Sequence, residues 1–254
     1  MVTRQERAQS FGSVATSYDR LRPAPAPGAL DWLVPSGCTV AVDLAAGTGL
    51  FTRPLAERVP RVIAVEPDPK MRSVLALRSP GVELVEGTGE AIPLPDAGAD
   101  ALFVSSAWHW LDPARALPEI ARVLRDGGRL GVLWTSRDRD VEWVRDLDRL
   151  PGEPPWDGEA EGRHRRRREL DLTLGGASFF TAVEQMSFPD TRRMRKDDVV
   201  EMAGTYSAVI TAPPDVRRTV LGNARAALDR RFPGVAEVEF PIRSWCFRAD
   251  RLAR

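Results

Sequence analysis

Val40-Ala41-Val42-Asp43-Leu44-Ala45-Ala46-Gly47-Thr48-Gly49 is the stretch from which this chain is best read. An apolar run closing on an acid and a turn of small residues reads as a buried strand feeding a glycine turn. Leu50 to Val59 then reads as a helix, and Arg61-Val62-Ile63-Ala64-Val65 as a second buried strand ending at Glu66. Together they form the first βαβ unit of a nucleotide-binding sheet. An acid about 20 residues past the turn can accept hydrogen bonds from both ribose hydroxyls of a nucleoside. Gly47 and Gly49 allow φ > 0 and a close backbone approach to a ligand.

A dinucleotide fingerprint, Gly-x-Gly-x-x-Gly, would seat a pyrophosphate on the helix N-terminus. Here Thr52 stands at the third glycine position and Asp43 precedes the turn. A carboxylate there repels pyrophosphate and suits a ligand carrying an ammonium or sulfonium group. Asp-x-x-x-Gly-x-Gly followed by Glu66 resembles motifs I and II of the class I S-adenosylmethionine-dependent methyltransferases. The resemblance implies S-adenosyl-L-methionine as cofactor. Gly47 and Gly49 would pass under its amino-acid part, and Glu66, with Pro67 beside it, would hold its ribose. Ala45 stands where the family often has Gly and bounds the room for the methionine moiety.

Composition fits a globular protein, with 43% hydrophobic and 28% charged residues among 254. Lys and Arg balance Asp and Glu at 36 each, so no global field points to nucleic acid or an acidic membrane. Cys38 and Cys246 have no metal-ligand spacing, and we expect buried thiols and no metal. No apolar run approaches a membrane span and no signal segment is visible, so a cytoplasmic location is expected. The basic run Arg163-His164-Arg165-Arg166-Arg167-Arg168 reads as a solvated surface rather than a nucleic-acid site.

Ahead of the glycine turn, Phe11, Val14, Ala15 and Tyr18 share one helical face. Phe-x-x-x-Ala-x-x-Tyr-Asp-x-x-Arg-Pro resembles the leader of many small-molecule methyltransferases, which implies that Tyr18 and Arg22 close over the cofactor's carboxylate. The alternative is that both simply anchor the leader. A short helix, Ala29 to Leu33, precedes the first strand. Past Glu66, Pro67-Asp68-Pro69 opens a helix in which Met71 either packs on adenine or belongs to the core. Val82 to Glu86 is strand three, and the resemblance puts Thr88, Gly89 and Glu90 at the adenine edge.

Asp100 to Val104 is strand four. It leads through Ser105, a further cofactor contact, into Ala107-Trp108-His109-Trp110. Ligands bind beyond the carboxyl ends of parallel strands at the switch point, so this loop is expected to face the transferred methyl. His109 is the candidate catalytic residue, acting as a base for a hydroxyl acceptor or positioning a carboxylate. Trp108, Trp110 and Trp134 are candidate acceptor contacts, with core packing as the alternative for the tryptophans. Tyr206 is a further candidate. The His-Trp pair also resembles the trans-aconitate methyltransferase-like branch.

Arg115 to Leu124 reads as a helix that Arg125-Asp126-Gly127-Gly128 ends with a left-handed cap, before strand five, Arg129 to Trp134. Further helices are expected at 141–150, 197–208 and 217–231. Strand six is expected at 183–188, and a closing antiparallel strand or hairpin, interrupted at Pro241, at 238–247. The whole (1–254) is expected to be one Rossmann-like, three-layer α/β methyltransferase domain with a mostly parallel seven-stranded sheet. Residues 1–35 are the lead-in, 36–136 the cofactor-binding core, and 137–254 cover helices and closing strands. The expected activity is O-methylation of a small-molecule carboxylate or hydroxyl. Two other readings stay open: an S-adenosylmethionine-binding protein with no methyl transfer or a non-methyl reaction, and an NAD-type oxidoreductase. Oligomeric state is not readable.

Overall fold

A computed structural model describes residues 10–147, 170–174 and 177–253. These fall into two compact units, one built on residues 24–135, 170–188 and 244–253, the other on 10–23, 136–147 and 189–243. Residues 151–162, whose Pro, Gly and acid content reads as a loop, and the basic run at 163–168 lie outside the described residues.

The apolar runs become β1 (Val40–Leu44), β2 (Arg61–Val65), β3 (Glu83–Val85), β4 (Ala99–Ser105) and β5 (Leu124–Arg137). With β8 (Glu184–Arg195) and β9 (Glu237–Asp250) they make a seven-stranded sheet ordered β3-β2-β1-β4-β5-β9-β8. The first five are parallel. Hydrogen bonds from Gly127 N–H to Arg251 and from Asp138 N–H to Pro241 run β9 antiparallel to β5. A two-stranded antiparallel ribbon, β6 (Thr173–Leu174) with β7 (Ala177–Ser178), stands apart from this sheet. The strand order reverses between β1 and β4, as expected, so their carboxyl ends flank the switch point.

Strand alternation feeds two cores in the first unit. Val42, Leu44, Ile63, Val65, Leu102, Val104, Leu130 and Val132 point to one face, covered by α5 (Pro113–Val123) through Leu117 and Ile120. Ala41, Val62, Ala101, Phe103 and Leu133 point to the other. There α2 (Pro27–Leu33) and α3 (Thr52–Ala56) bring Leu30, Leu33 and Leu55. Burial on both faces explains why these strands read as continuous apolar runs. Asp43 shares its parity with Ala41, so its side chain enters the α3 face.

Close approach is tightest at Gly131, where a Cβ would lie 2.5 Å from Phe103. Phe103 is fully buried against Phe51 at 5.3 Å between ring centroids, so it cannot swing aside. Gly131→Ala should therefore cost about 1–3 kcal/mol by overpacking, read as a lower urea midpoint with an unchanged m-value.

Several boundaries differ from the sequence reading. Helix α3 is shorter than Leu50–Val59, because Gly47 and Gly49 hold positive φ before it and Val59 precedes a proline after it. Arg125–Gly128 is not a helix cap. Helix α5 ends at Val123 with Leu124 already extended, and positive-φ Gly127 sits in an irregularity where β5 shifts register against β4. Pro241 does not interrupt β9, since its carbonyl still accepts a ladder bond. Strand six is longer than 183–188, running as β8 to Arg195. The 197–208 helix is two helices, because the backbone turns at Gly204 and Thr205.

In the second unit, α1 (Ala15–Leu21), α6 (Glu142–Asp146), α7 (Lys196–Ala203) and α9 (Pro214–Arg231) enclose a core of Leu21, Val144, Leu147, Val199, Met202, Leu228 and Phe240. Helix α8 (Ser207–Ile210) follows α7, with Tyr206 at its N-cap. Arg20 joins α1 to α7 through Asp198 at 2.6 Å and through Glu201.

Candidate active site

At the carboxyl end of β1, Asp43 is fully buried. Its Oδ2 accepts the hydroxyl of Thr52 at 2.5 Å, and its Oδ1 has no hydrogen-bond partner among the described residues. Burial pushes this carboxyl up to about 7; the Thr52 hydroxyl pulls it down and the nearby Glu66 charge pushes it further up. Ala45 holds φ 57°, a left-handed conformation that a glycine would adopt without strain.

The two glycines separate in role. Gly47 has φ 59°, and a Cβ there would meet open space; at Gly49 it would lie 3.0 Å from Leu75 of α4 (Pro69–Arg78). Gly49 thus admits helix packing, and the open face of the turn is at Gly47. Glu66 closes the other side of the turn. Its Oε2 accepts the Gly47 N–H at 2.8 Å and its Oε1 the Asp68 N–H at 2.9 Å. Burial raises this carboxyl, while the two N–H bonds draw it back. Arg72 ties the Glu66 and Pro67 carbonyls down at 2.8 and 2.7 Å.

Met71 is 5% exposed at the start of α4, which Asp68 caps through the Lys70 and Met71 N–H groups. Gly89 is a packing glycine, since a Cβ would stand 2.7 Å from Leu111. Glu90 accepts the Asp112 N–H at 2.8 Å, tying the 88–90 loop to the end of the His-Trp turn; Thr88 is exposed.

At the end of β4, Ser105 is half-buried, and beyond it Ser106 takes φ 58°. Trp108–Trp110 form a single 3-10 turn. Trp108 and Trp134 are core residues, whereas His109 and Trp110 are half-buried with ring centroids 4.4 Å apart. The indole N–H of Trp134 donates to His109 Nδ1 at 3.4 Å.

In the second unit, Arg22 stacks over Tyr206 at 3.6 Å and over Tyr18 at 5.2 Å. Its Nε donates to Thr205 Oγ1 at 2.8 Å. Arg137 lies over the same Tyr206 ring at 4.4 Å. The structure therefore brings Tyr18, Arg22 and Tyr206 together.

Residues 42–132 match the methyltransferase domain family model. An uncharacterized methyltransferase of Mycobacterium tuberculosis is 39% identical over 250 residues, 97% of this chain and 98% of its own length. The chain belongs to the class I S-adenosylmethionine-dependent methyltransferases. A solved structure from Anaeromyxobacter dehalogenans, described as a type II methyltransferase, superposes on this methyltransferase with TM-score 0.67 at 26% identity, covering 92% of this chain and 99% of the other. Over a shorter stretch of 95 residues, 35% of this chain and 34% of the other, the methyltransferase is 39% identical to the malonyl-[acyl-carrier protein] O-methyltransferase of Methylococcus capsulatus.

Sequence reasoning missed two hydrogen-bond partners of candidate site residues. Thr52 reads only as an absent glycine, yet its hydroxyl orients Asp43. Trp134 reads as an acceptor contact, yet its indole bonds His109. A hydroxyl in the first turn of the helix after the glycine loop is the signal that would have found Thr52; nothing local marks the Trp134–His109 contact.

Proposed function

We propose that the enzyme transfers a methyl group from S-adenosylmethionine to an oxygen of a small-molecule acceptor, a carboxylate or a hydroxyl. The single observation that carries the cofactor reading is the buried Asp43 oxygen left without a donor beside an open glycine turn and an oriented Glu66. These residues fit the group. Asp43 offers an acceptor to an ammonium, Gly47 offers room, and each Glu66 oxygen keeps a lone pair for a ribose hydroxyl. When bound, S-adenosylmethionine supplies a sulfonium-borne methyl and leaves as a neutral thioether, so a carboxylate acceptor becomes its methyl ester with no proton released.

The chain's own contribution is alignment and exclusion of water, which can be worth about 7–11 kcal/mol of barrier. The half-buried His109–Trp110 pair beyond β4 supports an acceptor position there. The O-methyltransferase similarity supports oxygen as the receiving atom. Tyr18 and Arg22 keep their proposed role toward the cofactor's carboxylate.

Calorimetric titration with S-adenosylhomocysteine is expected to give micromolar binding, and methyl-labelled cofactor is expected to label carboxylic acids as base-labile esters. Folded protein that binds no S-adenosylhomocysteine would overturn the cofactor reading. Label appearing only in amines would overturn the acceptor reading.

A further inference from the structure

We infer that Glu90 is a positioning residue that joins the adenine-edge loop to the turn carrying His109, so that cofactor bound at the loop organises the acceptor turn and each ligand tightens the other. The inference rests on the methyltransferase reading above for what occupies the two segments; the joint between them does not. Both segments lie in the first unit. Residues 86–98 connect β3 to β4 outside the main sheet, so their backbone groups need partners elsewhere. Helix α5 supplies several of those partners.

Near the carboxyl end of α5, Glu119 Oε2 accepts the Ile92 N–H at 3.0 Å. Arg122 donates to the Ile92 and Leu94 carbonyls, each at 2.8 Å, to Asp96 at 2.7 Å, and to both oxygens of Glu119. A guanidinium has five N–H donors, and these bonds use them all. That end is locked. At the amino end, Glu90 Oε1 accepts the N–H of Asp112 at 2.8 Å, and Asp112 in turn caps α5 through the Ala114 N–H. Beside this bond Gly89 lies so close to Leu111 that a Cβ would stand 2.7 Å from it. The Leu111 N–H itself closes the 108–110 turn on the Trp108 carbonyl at 3.1 Å. Loop and turn therefore meet through a hydrogen bond and a packing contact, at the two residues that follow Trp110.

With α5 locked to residues 92–96 at its far end, the contact at Glu90 is the route between the two segments. An adenine seated on residues 88–90 narrows the positions open to that loop. Glu90 passes the restriction to Asp112, and through the turn to Trp110 and His109. Coupling of this kind is reciprocal: whatever factor the cofactor adds to acceptor affinity, the acceptor adds to cofactor affinity. In this role Glu90 touches no reacting atom. It holds one turn against another.

Amide hydrogen exchange of the full chain tests the joint and the coupling in turn. Without ligand, Glu90→Ala should speed exchange of the Asp112 amide about 10-fold or more, the scale of a lost hydrogen bond to a carboxylate. Glu90→Gln, whose amide oxygen can still accept, should keep most of that protection. An Asp112 amide that exchanges in Glu90→Ala as it does in the parent, or as fast in Gln as in Ala, overturns the inference. S-adenosylhomocysteine is then added to saturation, set by calorimetry for each protein. In the parent, exchange should slow about fivefold or more both at residues 88–94 and at residues 108–114. In Glu90→Ala the slowing should persist at 88–94 and fade at 108–114. Leu111→Ala weakens the joint from the acceptor side, at a residue outside the proposed cofactor contacts, and should give the same separation; it decides the matter where Glu90→Ala binds too weakly to saturate. Undiminished slowing at 108–114 in the saturated variant, or none there in the saturated parent, overturns the inference. A folded parent that binds no S-adenosylhomocysteine overturns the cofactor reading and the coupling with it, while the ligand-free arm shows whether the joint stands.

Discussion

Asp43→Asn is expected to raise the melting temperature of the cofactor-free enzyme while removing most of its affinity for S-adenosylhomocysteine. The carboxyl is fully buried, spends one oxygen on Thr52 and leaves the other without a donor. Its folded value of about 7 stands above the ordinary 3.8, mainly through burial. Between those values the folded state holds a proton that the unfolded chain has released. The contribution to stability is therefore complete below about pH 4 and is lost as pH rises through 7. A gap of roughly three units at about 1.4 kcal/mol each sets a ceiling of ~4 kcal/mol at pH 8.

Asparagine is neutral, has nearly the same shape, and its amide oxygen can still accept the Thr52 hydroxyl. Recovering half of that ceiling would raise the midpoint by about 4–8 °C at pH 8, since 1 kcal/mol moves a domain of this size by about 2–4 °C. At pH 5, where only about 1.2 units of that gap are still felt, the gain should fall to less than half. Scanning calorimetry at the two pH values checks this, and an equal gain at both would mean that the buried charge is not its source. The loss of affinity should be about 10-fold or more, because the amide turns a donor toward the ligand's ammonium where the acid offers an acceptor. Parent binding should strengthen as pH rises through 7, and binding to the variant should not. A site held at the expense of stability is the ordinary bargain of a binding pocket.

The sheet was legible because β1, β2, β4 and the later part of β5 are buried on both faces. Such strands show as apolar runs whatever the helices around them do, and Arg61–Val65 has the bounds read from sequence, while β1 starts at Val40 and runs one residue past Asp43. The two acids were legible for a different reason. Asp43 and Glu66 are charged residues at the ends of apolar runs, where burial has to be justified by function or by partners. The long strand β8 was harder, because its side chains are mostly exposed and only pairing in the sheet makes it a strand.

Within the site, the unreadable parts are contacts between distant residues. His109 and Trp134 are 25 residues apart, and Arg22 and Thr205 are 183 apart, so no periodicity links either pair. Gly49 shows a subtler limit. Positive φ was readable from the turn, but only the position of Leu75 reveals that its missing side chain admits a helix and not a ligand.

Glu66→Gln, by contrast with Asp43→Asn, is expected to lower stability and affinity together. The Glu66 carboxylate accepts from two backbone N–H groups at once, Gly47 on Oε2 and Asp68 on Oε1. A carboxylate can do this because it is an acceptor at both oxygens; an amide has one acceptor and one donor. Whichever way the glutamine amide turns, its NH2 faces a backbone N–H, and either the glycine turn or the start of α4 gives up a hydrogen bond. Leaving such a group unsatisfied costs about 1–3 kcal/mol, which should lower the melting temperature by about 2–12 °C. Affinity for S-adenosylhomocysteine should fall about 10- to 100-fold, because the same rotation disturbs Gly47 and turns a donor toward the ribose. Both substitutions replace a buried carboxyl by its amide. One relieves an acid with an oxygen to spare, and the other breaks an acid whose two oxygens are already in use, so their melting temperatures should move in opposite directions. Midpoints that move together would mean that the two acids are held alike, contrary to the hydrogen bonds around them.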